Sequence, residues 1–157
     1  MLDAGTRAPE FVLQDDRGTD RSLTSLLDDG PLLLYFYPAD FTPGCTREAC
    51  TIRDMFGELR AVGLTVAGIS PQGPGSHRRF REKHALPFTL LCDPDKTVTR
   101  MYDVDGPLGI GVRRATYLVD QDRCIVDRVL ADIRISRHRQ FMERAVQART
   151  EAGMRRA

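Results

Sequence analysis

Leu32-Leu33-Leu34-Tyr35-Phe36-Tyr37-Pro38-Ala39-Asp40-Phe41-Thr42-Pro43-Gly44-Cys45 is the stretch on which the fold turns. Its first six residues are continuously apolar rather than alternating, the pattern of a strand covered on both faces. Pro38 ends the run. After a short loop, Thr42 is a good helix N-cap and Pro43 suits the first helical position. Cys45 then falls in the first turn. Ala49, Ile52, Phe56 and Leu59 recur at helical spacing, and Gly63 supplies a C-terminal stop, so the helix is predicted from Pro43 to about Val62.

Outward from this unit the pattern continues in kind. Toward the N-terminus, Phe11 to Leu13 and Thr19 to Leu23 flank Asp15-Asp16-Arg17-Gly18 and read as a hairpin. Downstream, Leu64 to Ile69 reads as a second buried strand, Ser76 to His84 as a helix, Phe88 to Leu91 as a strand and Asp95 to Met101 as a short helix. Ala115 to Val119 and Cys124 to Leu130 flank Asp120-Gln121-Asp122-Arg123 as an antiparallel hairpin. An amphipathic helix from Ser136 to about Ala148 follows, and a solvated or frayed tail is expected beyond it. The fold class is therefore α/β: a central mixed sheet flanked by helices in three layers, with an N-terminal β-hairpin.

The chain has 157 residues, the size of one ordinary domain, and no linker-like tract divides residues 1–157. Hydrophobic residues at 41% and charged residues at 29% exclude a disordered or fibrous chain. A formal net charge of +1 gives no reason to expect nucleic acid or an anionic membrane as partner. No apolar run approaches the ~18–20 residues of a membrane span, and Met1 to Phe11 does not read as a signal peptide, so a cytoplasmic location is expected. Thiols are kept reduced there, and four cysteines point to chemistry or packing rather than a disulfide framework.

Cys45 is the candidate for that chemistry. Backbone N–H groups in a first helical turn lack helical partners and carry the positive end of the dipole, which stabilises a thiolate. Gly44 lets other atoms approach the sulfur. The plain alternative is a small buried residue, a common place for cysteine. Against it stand the cap, the proline, the glycine and a second cysteine, Cys50. On a helix Cys45 shares the inward face of Ala49 and Ile52, whereas Cys50 lies roughly 140° further round. Five residues also rise ~7.5 Å, beyond the ~7 Å Cα limit of an unstrained disulfide. The two thiols can join only if the first turn unwinds, which makes them a candidate redox switch.

Pro38-x-x-x-Thr42-x-x-Cys45 resembles the active-site motif of peroxiredoxins. The longer string from Tyr35 through Thr46, Glu48, Ala49 and Cys50 is similar to the peroxiredoxin Q branch, also called bacterioferritin comigratory protein. Arg114-Ala115-Thr116-Tyr117-Leu118-Val119-Asp120 is similar to that family's arginine-bearing strand, and the likeness extends over nearly the whole chain. The resemblance implies a thioredoxin-like fold and a thiol-dependent peroxidase without metal or other cofactor. Carried over by position, Cys45 would attack the peroxide as thiolate and become a sulfenic acid. Thr42 would orient the peroxide, Arg114 would hold the thiolate and meet developing charge, and Pro38 would shield the sulfur. Cys50 would resolve the sulfenic acid as a Cys45–Cys50 disulfide, which thioredoxin or a similar dithiol protein would reduce; a monomer is expected.

Departures from the family pattern are the loop Val104 to Val112, which reads as short, and Cys92, which stands where serine is expected and is a distant competitor to Cys50. Glu48 could orient Arg114 or be a first-turn carboxylate favoured by the dipole. Cys124 reads as core. His77, His84 and His138 share no metal-ligand spacing and are expected at the surface. A thiol–disulfide reductase and a non-enzymatic redox sensor are the rival functions.

Overall fold

The computed structural model describes Met1–Arg156. Its elements are β1 (Val12–Asp15), β2 (Asp20–Ser22), α1 (Leu23–Leu26), β3 (Leu32–Phe36), α2 (Pro43–Ala61), β4 (Thr65–Ser70), α3 (Pro74–His84), β5 (Thr89–Cys92), α4 (Thr97–Met101), a 3₁₀ turn (Pro107–Gly109), β6 (Ala115–Val119), β7 (Ile125–Leu130) and α5 (Ser136–Arg156). The strands form one seven-stranded sheet in the order β2-β1-β5-β4-β3-β6-β7. β3, β4 and β5 run parallel, and the outer pairings are antiparallel, giving the mixed sheet that the sequence pattern predicts.

β3 is the axis of this arrangement, and all five of its residues are buried. Strand alternation sends Leu32, Leu34 and Phe36 into a core with Leu23, Val98, Tyr102 and Tyr117. Leu33, Tyr35 and Tyr37 enter the opposite core, with Cys45, Ala49 and Ile52 of α2, Phe80 of α3 and Phe141 of α5. Each such side chain contributes about 1.5–3 kcal/mol, against a net of ~1 kcal/mol for a ladder hydrogen bond. The uninterrupted apolar run therefore decides that β3 is central.

Two differences from the sequence expectation have local causes. The hairpin leads directly into the four-residue helix α1, closed by a capping box between Ser22 and Ser25. The last helix continues to Arg156 rather than fraying near Ala148, and Arg149 Nε donates to the Val62 carbonyl at 2.7 Å.

Helix α2 ends as its glycine requires. Gly63 has φ +77°, Gly63 N–H donates to Arg60 O at 2.9 Å and Leu64 N–H to Leu59 O at 2.9 Å, the two bonds of a Schellman stop. The α3 stop places Ala85 in the same region, at φ +50°. A left-handed conformation costs an L-residue about 1–2 kcal/mol. Gly63→Ala should thus destabilise the fold by about that amount, while Ala85→Gly should stabilise it by up to about 1 kcal/mol. Urea unfolding of both variants measures this, and equal midpoints would contradict the assignment.

Candidate active site

Pro43, Gly44 and Cys45 form the opening of α2, so Cys45 sits where the first N–H groups are free of helical partners. Its side chain faces the core as the helical phase requires, and the residue is 1% exposed. Thr42 occupies the N-cap position, but its hydroxyl makes no cap. It donates to Ala39 O at 3.1 Å, while the Thr42 carbonyl accepts from Thr46 N–H at 2.9 Å. Pro38 and Thr42 are exposed at the surface of the loop.

Arg114, immediately before β6, reaches across to α2. Its Nη2 donates to Cys45 Sγ at 3.3 Å, and its Nη1 pairs with Glu48 Oε2. A Cβ on Gly44 would lie 3.0 Å from Arg114 Nη2, so the glycine makes room for the guanidinium. Glu48 is therefore a partner of Arg114 rather than a dipole-favoured surface carboxylate. It is 1% exposed, and burial, opposed by the charge and hydrogen bond of Arg114, raises its pKa to about 7. The guanidinium pKa is raised in turn: burial works against the charge, but Glu48 and Cys45 outweigh it.

Asp132 was not anticipated. Its Oδ1 accepts from Arg114 N–H at 2.8 Å, its carbonyl accepts from Arg114 Nε at 3.4 Å, and its Oδ2 pairs with half-buried Arg113 at 3.1 Å. These contacts fix the base of the Arg114 side chain. Pro38, Arg114, Asp132 and the loop from Asp105 to Val112 line a cleft of about 640 Å³ beside the site.

The histidines depart from the expectation of surface positions. His77 is fully buried and His138 is 2% exposed; His84 is half-buried. His77 holds the active-site loop in place: Nδ1 lies 2.8 Å from Asp40 Oδ2, and Nε2 lies 3.0 Å from Leu91 O. The same carboxylate accepts from Tyr37 Oη and Ser76 Oγ, each at 2.7 Å. Burial would raise the Asp40 pKa, but the bonds from His77, Tyr37 and Ser76 lower it. Phe41, next in the loop, takes φ +64° and packs edge-on against Phe80. His138 lies behind Glu48, in contact with Thr116.

All four cysteines are free. Cys50 is half-buried, not fully solvent-facing, with Sγ 3.9 Å from His84 Nδ1. Cys92 is 6% exposed at the end of β5, where burial pushes its thiol up to about 11. Such a thiol stays protonated and is a poor nucleophile. Cys124 is half-buried just before β7 rather than in the core. Among the described residues no cluster of three or more His, Cys, Asp or Glu could hold a metal ion, and no helix is long and apolar enough to cross a membrane.

The AhpC/TSA family pattern matches residues 4–128. A Coxiella burnetii protein carrying the name peroxiredoxin bcp is 38% identical over 143 residues, covering 87% of this chain and 93% of that protein. The crystal structure of peroxidoxin BcpB from Mycobacterium tuberculosis superposes with a TM-score of 0.88 at 35% identity, covering 94% of this chain and 98% of that one. The bacterioferritin comigratory protein of Xanthomonas campestris, described for its alkyl peroxide reduction activity, gives 0.81 at 26% identity and covers 96% and 99%. With the Cys45–Arg114–Glu48 cluster at the start of α2, these likenesses agree: the chain belongs to the AhpC/TSA family, in its peroxiredoxin Q and bacterioferritin comigratory branch, and is a thiol-dependent peroxidase.

Proposed function

We propose that this peroxidase reduces hydrogen peroxide and small organic hydroperoxides through Cys45, with Cys50 as resolving cysteine and thioredoxin or a similar dithiol protein as reductant. The observation that carries the reading is the guanidinium of Arg114, held between Cys45 Sγ and Glu48. A fixed, planar cation beside the sulfur stabilises the thiolate and stands where negative charge develops on the departing oxygen. In the first step the sulfur–oxygen bond forms and the O–O bond breaks. Cys45 thiolate, peroxide and one proton give Cys45 sulfenic acid and an alcohol or water, with two electrons passing from sulfur to peroxide. Thr42, at the loop surface beside the helix start, orients the peroxide, and Pro38 limits water at the sulfur.

Resolution follows as the Cys50 thiol condenses with the sulfenic acid and releases water. Cys45 faces the core while Cys50 lies against His84 on another side of α2, so the bond requires local unwinding of residues 43–51. Asp40, held by His77, Tyr37 and Ser76, is the fixed point from which that segment opens. The resulting disulfide is reduced by two electrons and two protons from the partner dithiol. A thiol–disulfide reductase needs a sulfur that a protein disulfide can reach, which a residue 1% exposed does not offer. We place the enzyme in the cytoplasm as a monomer.

Coupled turnover of hydrogen peroxide with a thioredoxin system tests the proposal: wild type should cycle and Cys45→Ser should not. Arg114→Lys should lose roughly 10- to 100-fold, because an ammonium cannot meet Sγ and Glu48 together and a charged hydrogen bond is lost. Unchanged turnover would remove Arg114 from the mechanism. After one equivalent of peroxide, mass spectrometry should find a Cys45–Cys50 crosslink in wild type and sulfenic or sulfinic Cys45 in Cys50→Ser, with amide exchange raised across residues 43–51 of the wild-type disulfide form. A Cys45–Cys92 or intermolecular bridge would overturn the role of Cys50.

A further inference from the structure

One oxygen of Glu48 is unaccounted for. Oε2 is held by Arg114, but Oε1 is buried and has no hydrogen-bond partner among the described residues. An ionised carboxylate with a bare buried oxygen is costly. His138 Nδ1 faces it at 3.4 Å. The other ring nitrogen of His138, Nε2, lies 3.1 Å from Ala131 O, and a carbonyl only accepts, so Nε2 carries a proton. Nδ1 of the neutral ring is then an acceptor, facing Thr116 Oγ1 at 2.9 Å and Glu48 Oε1.

We propose that Glu48 Oε1 and His138 Nδ1 form a site for one proton, occupied in the reduced enzyme, and that His138 is thereby a positioning residue for the Arg114–Cys45 pair. This rests on Cys45 being the nucleophile. With the proton in place, Glu48 is a neutral acid that shares the Nδ1 lone pair with the Thr116 hydroxyl, and the positive charge of Arg114 faces the Cys45 thiolate undivided. Arg114 and the thiolate then cancel, so the buried group carries no net charge. Without the proton, a second anion is buried and competes for the same guanidinium. When Cys45 becomes an uncharged sulfenic acid, the balance reverses. The occupied site would leave Arg114 uncompensated, so the proton is released while the product alcohol takes one up.

Burial acts in the same direction. Burial raises Glu48 to about 7 and lowers His138 to about 4, placing the proton on the carboxyl rather than on the ring. The other ionisable groups around Glu48 are Arg114 before β6, Cys45 on α2 and Tyr35 on β3, whose buried phenol is raised well above its ordinary range and stays neutral. Asp132 acts on His138 from the segment after β7.

Infrared titration of the reduced protein, with no peroxide present, reads this site directly. Wild type should show a protonated carboxylic acid band that disappears with a midpoint near 7 and is absent in Glu48→Gln. His138→Leu removes the acceptor and should move the midpoint down by about one pH unit; His138→Gln, which can both donate to Ala131 O and accept from Glu48, should restore it. Thr116→Val, a near-isosteric change that frees Nδ1 for Glu48 alone, should move the midpoint up, and it serves if the leucine variant does not fold. The rate of Cys45 oxidation by peroxide should fall with the same midpoint in each protein. Absence of the acid band below the midpoint, or a midpoint indifferent to both positions, overturns the proposal. Either result leaves the peroxidase reading standing, and a failure of peroxide turnover would leave the band unaffected.

Discussion

A guanidinium held between a thiol and a carboxylate organises this molecule. Arg114 must reach Cys45 and Glu48 at once, and nearly every feature near the site serves that reach. Asp132 grips its backbone and Nε, Gly44 leaves space for it, and the first turns of α2 place residues 45 and 48 on one face. The strands supply the frame. β3 ends at the loop leading into α2, and β6, which follows Arg114, pairs with β3. Residues 66 apart in sequence thus meet because their strands are neighbours. Loss of the β3–β6 register would remove the arginine from the sulfur before it disturbed the cysteine.

The same arrangement sets an opposition between holding and releasing the site. Cys45 is buried and fixed by Arg114, which suits attack on a peroxide. Forming a bond to Cys50 requires that fixity to be given up over the first turns of α2. The loop before the helix is built for this division. Asp40 is bound by three side chains, whereas Phe41 takes a left-handed conformation just before α2, the segment proposed to unwind.

Much of this was legible in the sequence for reasons that can be named. The apolar run of β3 has only one comfortable place in an α/β protein, and Thr42-Pro43-Gly44 followed by helical periodicity locates Cys45 within a turn. The role of Arg114 came from the resemblance to peroxiredoxins, while Glu48, one turn after Cys45, read equally as its partner or as a dipole-favoured carboxylate; the structure brings the two side chains together. What could not be read were the polar partners. His77 and His138 look like surface residues on charged helices, since their partners Asp40 and Thr116 lie 37 and 22 residues away. Asp132 follows a strand in an otherwise unremarkable turn. Such contacts depend on tertiary placement and carry no local periodicity. The short helix α1 is different: its capping box between Ser22 and Ser25 is a local signal, carried by residues three apart at the end of the hairpin.

In the proposed mechanism Arg114 and the start of α2 make Cys45 a far better nucleophile toward peroxide than an ordinary thiol. The most direct measure of this is the single-turnover reaction of the reduced protein with hydrogen peroxide, followed by trapping of the Cys45 sulfenic acid and compared with free cysteine at the same pH. The proposed mechanism predicts a second-order rate constant orders of magnitude above that of the free thiolate, an advantage that the fraction of ionised thiol alone cannot supply. A rate constant equal to that of the free thiolate would contradict it.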